Sequence, residues 1–387
     1  MNEVQQLTLI PPLKPDTSSQ RGWVYSVFVL ALVLLGTTLL PAPTHAQANA
    51  SDSVLASNGI RIDAKVIGHA RQVLASVMRT LAPEDRENVV YVDLDNRVYA
   101  NKPELLQDLY LAPMATDNSY ISPTGEVVAV PRLTSRPASF GRVTPLGVGA
   151  VSPLVVTPAP DSGGTGPFRR VYSGATTTAG YSWESASISL KGSSNVYTDP
   201  AGTDAAEVYE GGWGATAGAV DAGFQYSSTY NNWSAIVQRE TPTGIQIWVY
   251  PTSRFISDEE DNLKFYVPSD NNVAIAWTAT PFPSGTRTQR TMVFAEAAAY
   301  GWQASGAGCI MKRMTSIAQQ PPEDLFSGSY VKNIRWYGCL IGASSTSNHV
   351  WTSADVGGYQ SYPSGSPKVS VTYVGPAEET DTIDLRL

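Results

Sequence analysis

Residues 205–250 constrain the fold most, because successive stretches of this segment alternate between two kinds of side chain with a period of two. In the first stretch Val220, Ala222, Phe224 and Tyr226 alternate with Ala219, Asp221, Gly223 and Gln225. Residues 233–238 and 245–250 repeat the alternation after short polar turns. Because side chains along a β-strand point to opposite faces in turn, the segment predicts three consecutive antiparallel strands, a β-meander.

The region around the meander, residues 168–387, continues as short strand-like rows separated by Gly, Pro, Asn, Asp and Ser. Charged residues make up 16% of the chain, against about 25% in a typical soluble protein. Long helical periodicity is absent from the sequence of this region, so we predict a mostly β domain, a two-layer antiparallel β-sandwich of the jelly-roll kind. Its expected core residues are Phe224, Val237, Ile247, Trp277 and Trp336.

Residues 1–48 have the layout of an export signal. Lys14 and Arg21 precede an apolar run at 23–40, and the small residues Ala46 and Ala48 follow it. This order favours cleavage after export, at that site or after Thr44-His45-Ala46, and therefore a secreted or cell-surface protein. The alternative is a retained anchor, since the run approaches the roughly 20 residues that span a bilayer. Membrane contact is then expected only through this segment.

Between the signal and the sandwich we predict two further regions. Residues 49–112 are α-rich, with helical apolar spacing from about Asp63 to Leu81, a short strand at 89–92 and a second helix at 103–111. Residues 113–167 are rich in Pro, Ser, Thr and Gly, a composition that predicts an extended linker.

The stretch Ala219–Tyr226, followed by residues 231–237, resembles central jelly-roll strands of the concanavalin-type lectin and glucanase superfamily. The resemblance implies a fold for residues 168–387 and at most a glycan-facing surface. The sequence contains neither the glutamate-x-aspartate-x-x-glutamate pattern of one glucanase branch nor the paired arginine and glutamine-x-histidine signatures of alginate-lyase relatives. No catalytic residue therefore carries over from that superfamily.

Aromatic residues give the main indication of ligand binding, because eight of the nine tryptophans lie in the predicted sandwich. Flat rings with polar neighbours suit sugar binding. Trp248 and Tyr250 share a strand face with Gln246, opposite an aliphatic row, so we predict that they are exposed and bind ligand together with Asp221 and Gln225. The alternative is ordinary aromatic packing in a sheet.

A carboxylate pair is the one catalytic arrangement that the sequence offers. Glycoside cleavage needs two carboxyl groups beside the scissile bond. Glu207 and Asp221 are expected on one face of the sheet, whereas Glu210 is expected on the other. The alternative is a solvated sheet face without chemistry.

The two cysteines, Cys309 and Cys339, form either a disulfide, as an exported protein allows, or two buried thiols. After the signal only His69 and His349 remain, which excludes a zinc site built on several histidines. One acidic loop is a weak calcium candidate or a solvated hairpin tip, and no other cofactor is predicted. The residues of that loop are Asp258, Glu259, Glu260 and Asp261.

The formal net charge of −8 and the lack of a Lys/Arg cluster argue against a nucleic-acid partner. Three hypotheses remain. The first is an exported sandwich that binds carbohydrate or another cell-surface polymer. The second is a jelly-roll enzyme, a hydrolase or lyase, that cleaves glycans with Glu207 and Asp221. The third is a non-catalytic structural or adhesive surface protein.

Overall fold

The computed structural model describes residues 29–31, 54–55, 61–62, 64–116, 118–134, 136–137, 166–174, 180–199 and 204–387. The chain forms two compact units, Met1–Gln107 with Thr291–Ala295, and Asp108–Arg290 with Glu296–Leu387. The predicted signal cleavage sites and residues 138–165 of the predicted linker lie outside the described residues. Within the described ranges, no helix has both the length and the apolar character needed to cross a membrane.

The first unit contains one helix, α1, at Ala64–Thr80, which confirms the predicted helix; its predicted cap, Asp63, is outside the described residues. Its strands are β1 (Val29–Ala31), β2 (Val54–Leu55), β3 (Arg61–Ile62), β4 (Val89–Val92) and β5 (Val98–Ala100). The predicted second helix at 103–111 is wrong. Pro103–Leu106 form a single 3-10 turn that buries two leucines, and residues 110–112 are instead a strand paired in a sheet.

The second unit is built almost entirely of strands. They are β6 (Tyr110–Ala112), β7 (Met114–Thr116), β8 (Ser119–Ile121), β9 (Val127–Ala129), β10 (Phe168–Ser173), β11 (Trp183–Ser189), β12 (Val196–Tyr197), β13 (Ala205–Trp213), β14 (Ala219–Ser227), β15 (Asn232–Thr241), β16 (Gly244–Phe255), β17 (Glu260–Ser269), β18 (Asn272–Ala279), β19 (Thr288–Ala295, with its last five residues in the first unit), β20 (Ile310–Ala318), β21 (Tyr330–Ser344), β22 (Ser347–Val350), β23 (Val356–Tyr362), β24 (Val369–Gly375) and β25 (Glu378–Asp384). The meander predicted from the sequence is confirmed as β14, β15 and β16, paired in antiparallel order.

Two antiparallel layers pack face to face, which confirms the predicted sandwich. One layer has the order β23-β10-β20-β13-β14-β15-β16-β6, and we call it the eight-stranded layer. The other has the order β18-β17-β11-β21-β25-β24, with β12 and β22 paired to β21. Side chains cross between them: the Trp336 indole donates to Thr315 Oγ1 at 2.9 Å, and Tyr250 packs edge-on against Trp277 at 5.9 Å. A small sheet, β7-β8-β9, completes the unit.

The predicted core residues are confirmed as buried, with Phe224, Ile247 and Trp336 fully enclosed and Val237 and Trp277 no more than 3% exposed. They do not share one core. Phe224 faces the space between the layers, where its ring meets Phe255 edge-on at 5.6 Å. Ile247 lies on the opposite face of the eight-stranded layer and packs with Tyr120 and Val130. Both faces of β14 and β16 are therefore covered.

The predicted exposure of Trp248 and Tyr250 is wrong, because their side chains are only 2% and 1% exposed. Trp248 pairs across the sheet with Val237, which places both side chains on the face between the layers together with Tyr250. In a two-layer sandwich this face is the main core, so large rings pack there rather than meet a ligand.

Candidate functional site

The face of the eight-stranded layer that points away from the other layer carries buried polar side chains, and we call it the outer face. Its polar members include Glu207, Tyr209, Asp221, Gln225, Lys312 and Arg170, each 7% exposed or less. Their common side follows from the register, in which Glu207 lies beside Gln225, and Gly211 lies between Asp221 and Lys312. The expectation that Glu207 and Asp221 share a face, with Glu210 on the other, is confirmed. Buried polar groups in such number are costly unless they are paired.

An ion pair between Asp221 and Lys312 stands at the centre of the outer face. Lys312 Nζ lies 2.5 Å from Asp221 Oδ1, although β13 separates the two strands that carry them. The residue between them on β13 is Gly211, and a Cβ there would come within 3.0 Å of Asp221 Oδ1. The missing side chain of this glycine leaves the space in which the two charges meet.

Two aromatic rings surround the ammonium of Lys312. Its Nζ lies 4.1 Å from the ring centroid of Trp213 and 5.9 Å from that of Tyr209. Burial lowers the pKa of Lys312 to about 8, against the opposing attraction of Asp221 and with a smaller lowering contribution from Arg170. The proton on this amine is therefore held less firmly than on a lysine in water.

A chain of hydrogen bonds runs along the outer face from Glu207. Gln225 Nε2 donates to Glu207 Oε1 at 2.6 Å, and Gln225 Oε1 accepts from the Tyr120 hydroxyl at 2.6 Å. Burial raises the pKa of Glu207 well above its usual value, the hydrogen bond from Gln225 opposes that shift, and the nearby charge of Asp221 adds to it. A raised pKa is the direction of shift that a carboxyl group acting as a proton donor requires.

The outer face is occupied by a stretch of the chain between β6 and β10, described at residues 118–134 and 136–137, which we call the cover segment; it includes the paired strands β8 and β9. Gln225 Nε2 also donates to the carbonyl of Ala129 at 3.3 Å, and Trp213 Nε1 donates to the carbonyl of Thr134 at 2.8 Å. Arg170 Nη1 donates to Thr134 Oγ1 at 2.8 Å. The side chains of the sheet thus hold the carbonyls of Ala129 and Thr134 and the hydroxyl of Thr134.

The ligand residues predicted from the sequence divide between the two faces of the sheet. Asp221 and Gln225 belong to the outer face, where the structure brings them together with Glu207. The register places Asp221 beside Gln238 of β15, and Gln238 beside Ile247 of β16, so Ile247 is on the outer face. Side chains alternate along β16, so the other face carries Gln246, Trp248 and Tyr250. The five residues therefore do not form one binding surface.

The acidic loop does not gather its carboxylates. Asp258 accepts from the Gly192 amide at 3.3 Å, whereas Asp261 is buried with its nearest cation, Arg287, at 4.0 Å. Burial raises the pKa of Asp261 to about 7. In the part of the chain that the structure describes, no three residues among His, Cys, Asp and Glu are placed to hold a metal ion.

The predicted disulfide is wrong, because Cys309 and Cys339 are both free thiols in the interior. The Cys309 sulfur lies 3.8 Å from the carbonyl oxygen of Gly301, in a loop environment. Cys339 is enclosed in β21, where burial raises the pKa of its thiol to about 12. Two buried thiols are the alternative that the sequence left open.

Sequence reasoning missed Lys312, Arg170 and Tyr209. The signal for Lys312 is the dipeptide Lys312-Arg313 inside a strand that is otherwise almost wholly buried and apolar. Charged residues in a buried strand are rarely tolerated without a partner. That rule predicts a buried ion pair but does not identify the acidic partner of Lys312.

A second set of buried charges lies between the layers. Glu379 sits between Arg169 and Arg313, at 2.7 and 2.9 Å. Burial alone would raise the pKa of Glu379, but Arg313 and Arg169 lower it. Next to it, burial and the charge of Glu379 raise the pKa of Asp381 to about 7.

Several other enclosed carboxyls also have raised pKa values. Burial raises the pKa of Glu184 and of Glu210 well above the usual range and that of Glu296 to about 8. For an acid whose folded pKa exceeds its unfolded pKa, the stabilisation is complete below the unfolded value. It is lost as the pH rises through the folded value.

No known protein-family profile matches the sequence, and no curated protein matches it. Among solved structures, Scytalido-glutamic peptidase bound to a peptide-based transition-state analog is similar, with 9% identity and a TM-score of 0.36 over 57% of this chain and 98% of that one. SCP-B, a peptidase of the eqolisin family in complex with the tripeptide Ala-Ile-His, has 6% identity and a TM-score of 0.37 over 56% of this chain and 98% of its own. At this identity and TM-score the likeness extends to the β-sandwich and to nothing finer.

Proposed function

We propose that this protein is an exported β-sandwich that holds an extended polymer chain across its outer face. One observation carries the proposal: the outer face already holds a stretch of its own chain, at Ala129 and Thr134, through Gln225, Trp213 and Arg170. These donors are buried side chains fixed in a sheet, the kind of rigid support that polymer recognition uses. The binding of a surface polymer, predicted from the sequence, therefore moves from the enclosed rings of β16 to the opposite face of the sheet.

The ligand must supply hydrogen-bond acceptors at matched positions, because a buried N–H group left unpaired is costly. The carbonyls of a polypeptide and the hydroxyls of a polysaccharide both meet this requirement. The glycan ligand and the concanavalin-type likeness stay predictions. Binding of a glycan is tested in the same experiment as binding of a polypeptide.

The test is retention of the full chain on immobilised polysaccharides and on an immobilised unfolded polypeptide, at high ligand density. We expect retention on one of these classes and its loss in Trp213→Phe, which removes the indole N–H but keeps an aromatic ring. Trp351→Phe is the matched control, because Trp351 donates to the carbonyl of Leu340 at 3.0 Å and is not part of the outer face. Equal retention of both variants would refute the proposal.

A second candidate, hydrolysis of the bound polymer, is favoured by the raised pKa of Glu207 on the face that also carries Asp221. In this reaction a water oxygen bonds to the carbon of the scissile bond while the bond to the leaving atom breaks. Glu207 gives its proton to the leaving atom, and Asp221 accepts the proton from the water.

New reducing ends from a polysaccharide panel, or new amino termini from the polypeptide, would reveal such cleavage. We expect Glu207→Gln to abolish it and Glu104→Gln, at an exposed position outside the outer face and the cover segment, to leave it unchanged. Cleavage that persists in Glu207→Gln would refute this role of Glu207.

A further inference from the structure

The cover segment is held as a ligand is held, rather than as a strand of the sheet. Its hydrogen bonds to the outer face run through side chains of both partners: Gln225 and Trp213 donate to the carbonyls of Ala129 and Thr134, the Tyr120 hydroxyl donates to Gln225, and Asn118 Nδ2 donates to the carbonyl of Gln319. In the described residues β8 and β9 pair with each other, and neither has a pairing register with the eight-stranded layer. Pro131 and Pro137 lack the N–H group that continuous strand pairing requires. Contacts of this kind can be exchanged one chain for another without breaking the sheet.

Apolar side chains of the cover segment fill separate positions along the outer face. Ala129, a small residue, packs against Ala205 and Ala318, with Val128 beside them. Leu133 packs against a cluster formed by Trp213, Tyr172, Ala219 and Ile310. A small position and a large apolar position therefore lie four residues apart in the occupant.

The outer face beneath the segment is more polar than a structural core needs. Asp221 and Lys312 are 5% and 1% exposed, and Glu207 is 3% exposed. Replacing a buried ion pair by apolar residues is often neutral or stabilising, so such a pair is weak as a stabilising device.

We infer that the cover segment is an internal ligand that blocks the outer face, and that the external ligand is an extended polypeptide of the same pattern. This inference rests on the proposed function and specifies its ligand class and its regulation. The pattern is a small residue, a large apolar residue four positions later, and then a residue with a hydroxyl group. The carbonyls of the first and last of these accept from Gln225 and Trp213.

Occupation by a tethered segment weakens the binding of any external chain. A tethered ligand acts at an effective concentration of the order of millimolar, so a free peptide of micromolar affinity is outcompeted by a factor of about 100 or more. The outer face opens when the hold on the segment is weakened.

The experiment measures binding of a fluorescent peptide with the sequence of residues 125–137 to the full chain by anisotropy. In Leu133→Asp a charged side chain replaces the leucine in an apolar cluster, which weakens the hold on the cover segment. We expect this variant protein to bind the peptide at least about tenfold more tightly than the wild-type protein does. The same peptide with aspartate at the position of Leu133 should not bind. Adding Trp213→Phe to Leu133→Asp should weaken binding again.

Leu133→Ala is a milder variant for use if Leu133→Asp does not fold. We expect it to bind the peptide more tightly than the wild type, by a smaller factor than Leu133→Asp. If the opened and wild-type proteins bind the peptide with equal affinity, the internal-ligand inference is wrong while the proposed polymer binding stands. If the folded opened variants bind neither this peptide nor any polymer of the panel, both are wrong.

Discussion

Removal of the Lys312 amine is the sharpest test of the outer face as described. In Lys312→Met the new side chain is similar in volume but carries no charge. Asp221, which is 5% exposed, then has lost its cation while it remains buried. At the observed 2.5 Å the attraction between the two charges is about 7 kcal/mol at an effective dielectric constant of about 20. Desolvation of both groups offsets much of this, so the expected loss is about 3 to 5 kcal/mol in the free energy of unfolding.

Urea unfolding followed by tryptophan fluorescence measures that loss. For a domain of this size the corresponding fall in melting temperature is about 6 to 20 °C. In the double variant Lys312→Met with Asp221→Leu no charge is left unpaired, so we expect stability within about 1 kcal/mol of the wild type.

The matched control is the exposed ion pair between Arg335 and Glu378, whose atoms lie 2.7 Å apart with side chains 48% and 36% exposed. Arg335→Met should cost less than about 1 kcal/mol, because water screens this pair. The buried pairing of Lys312 with Asp221 is refuted if Lys312→Met lowers the free energy of unfolding no more than Arg335→Met does. It is also refuted if the double variant is no more stable than Lys312→Met.

Three further predictions follow from the interior. Trp248→Ala should lower the free energy of unfolding by about 3 to 5 kcal/mol, because the ring is 2% exposed; a variant of unchanged stability would show that the ring lies on the surface. Dithiothreitol should leave the urea midpoint unchanged, and iodoacetamide should label Cys309 and Cys339 only after unfolding, because both are buried free thiols; a midpoint that falls on reduction would reveal a disulfide. Between about pH 5 and about pH 8 the urea midpoint should fall, because folding raises the pKa of Asp381 to about 7 and of Glu296 to about 8. Each group contributes at most about 1.4 kcal/mol per pH unit while it titrates, and a midpoint that rises over this range would contradict the raised values.

The sequence alone was sufficient for the strands of the meander and for α1, because their patterns are local. It was insufficient for the faces of β16. Alternation separates Trp248 and Tyr250 from Ile247, but it does not say which set meets water when both faces are covered. The usual rule that one face of an antiparallel sheet is solvated fails here because the cover segment lies on that face.

The candidate site was only half predictable for a related reason. Glu207, Asp221 and Gln225 lie on neighbouring strands of one hairpin, so their common face follows from the register of a short segment. Lys312 arrives on β20, which is distant in sequence and enters the sheet beside β13. No local sequence pattern predicts that β20 pairs with β13. The role of Gly211, whose missing side chain leaves space for the Asp221–Lys312 ion pair, can therefore be recognised only when the order of the strands is known.

The position of the cover segment in the chain has a consequence for synthesis. Proteins leave the ribosome from the amino terminus at about 5 to 20 residues per second. Residues 118–137 therefore emerge before every strand of the eight-stranded layer except β6. When Asp221 and Lys312 finally meet across β13, the stretch that covers their side of the sheet has therefore already been made.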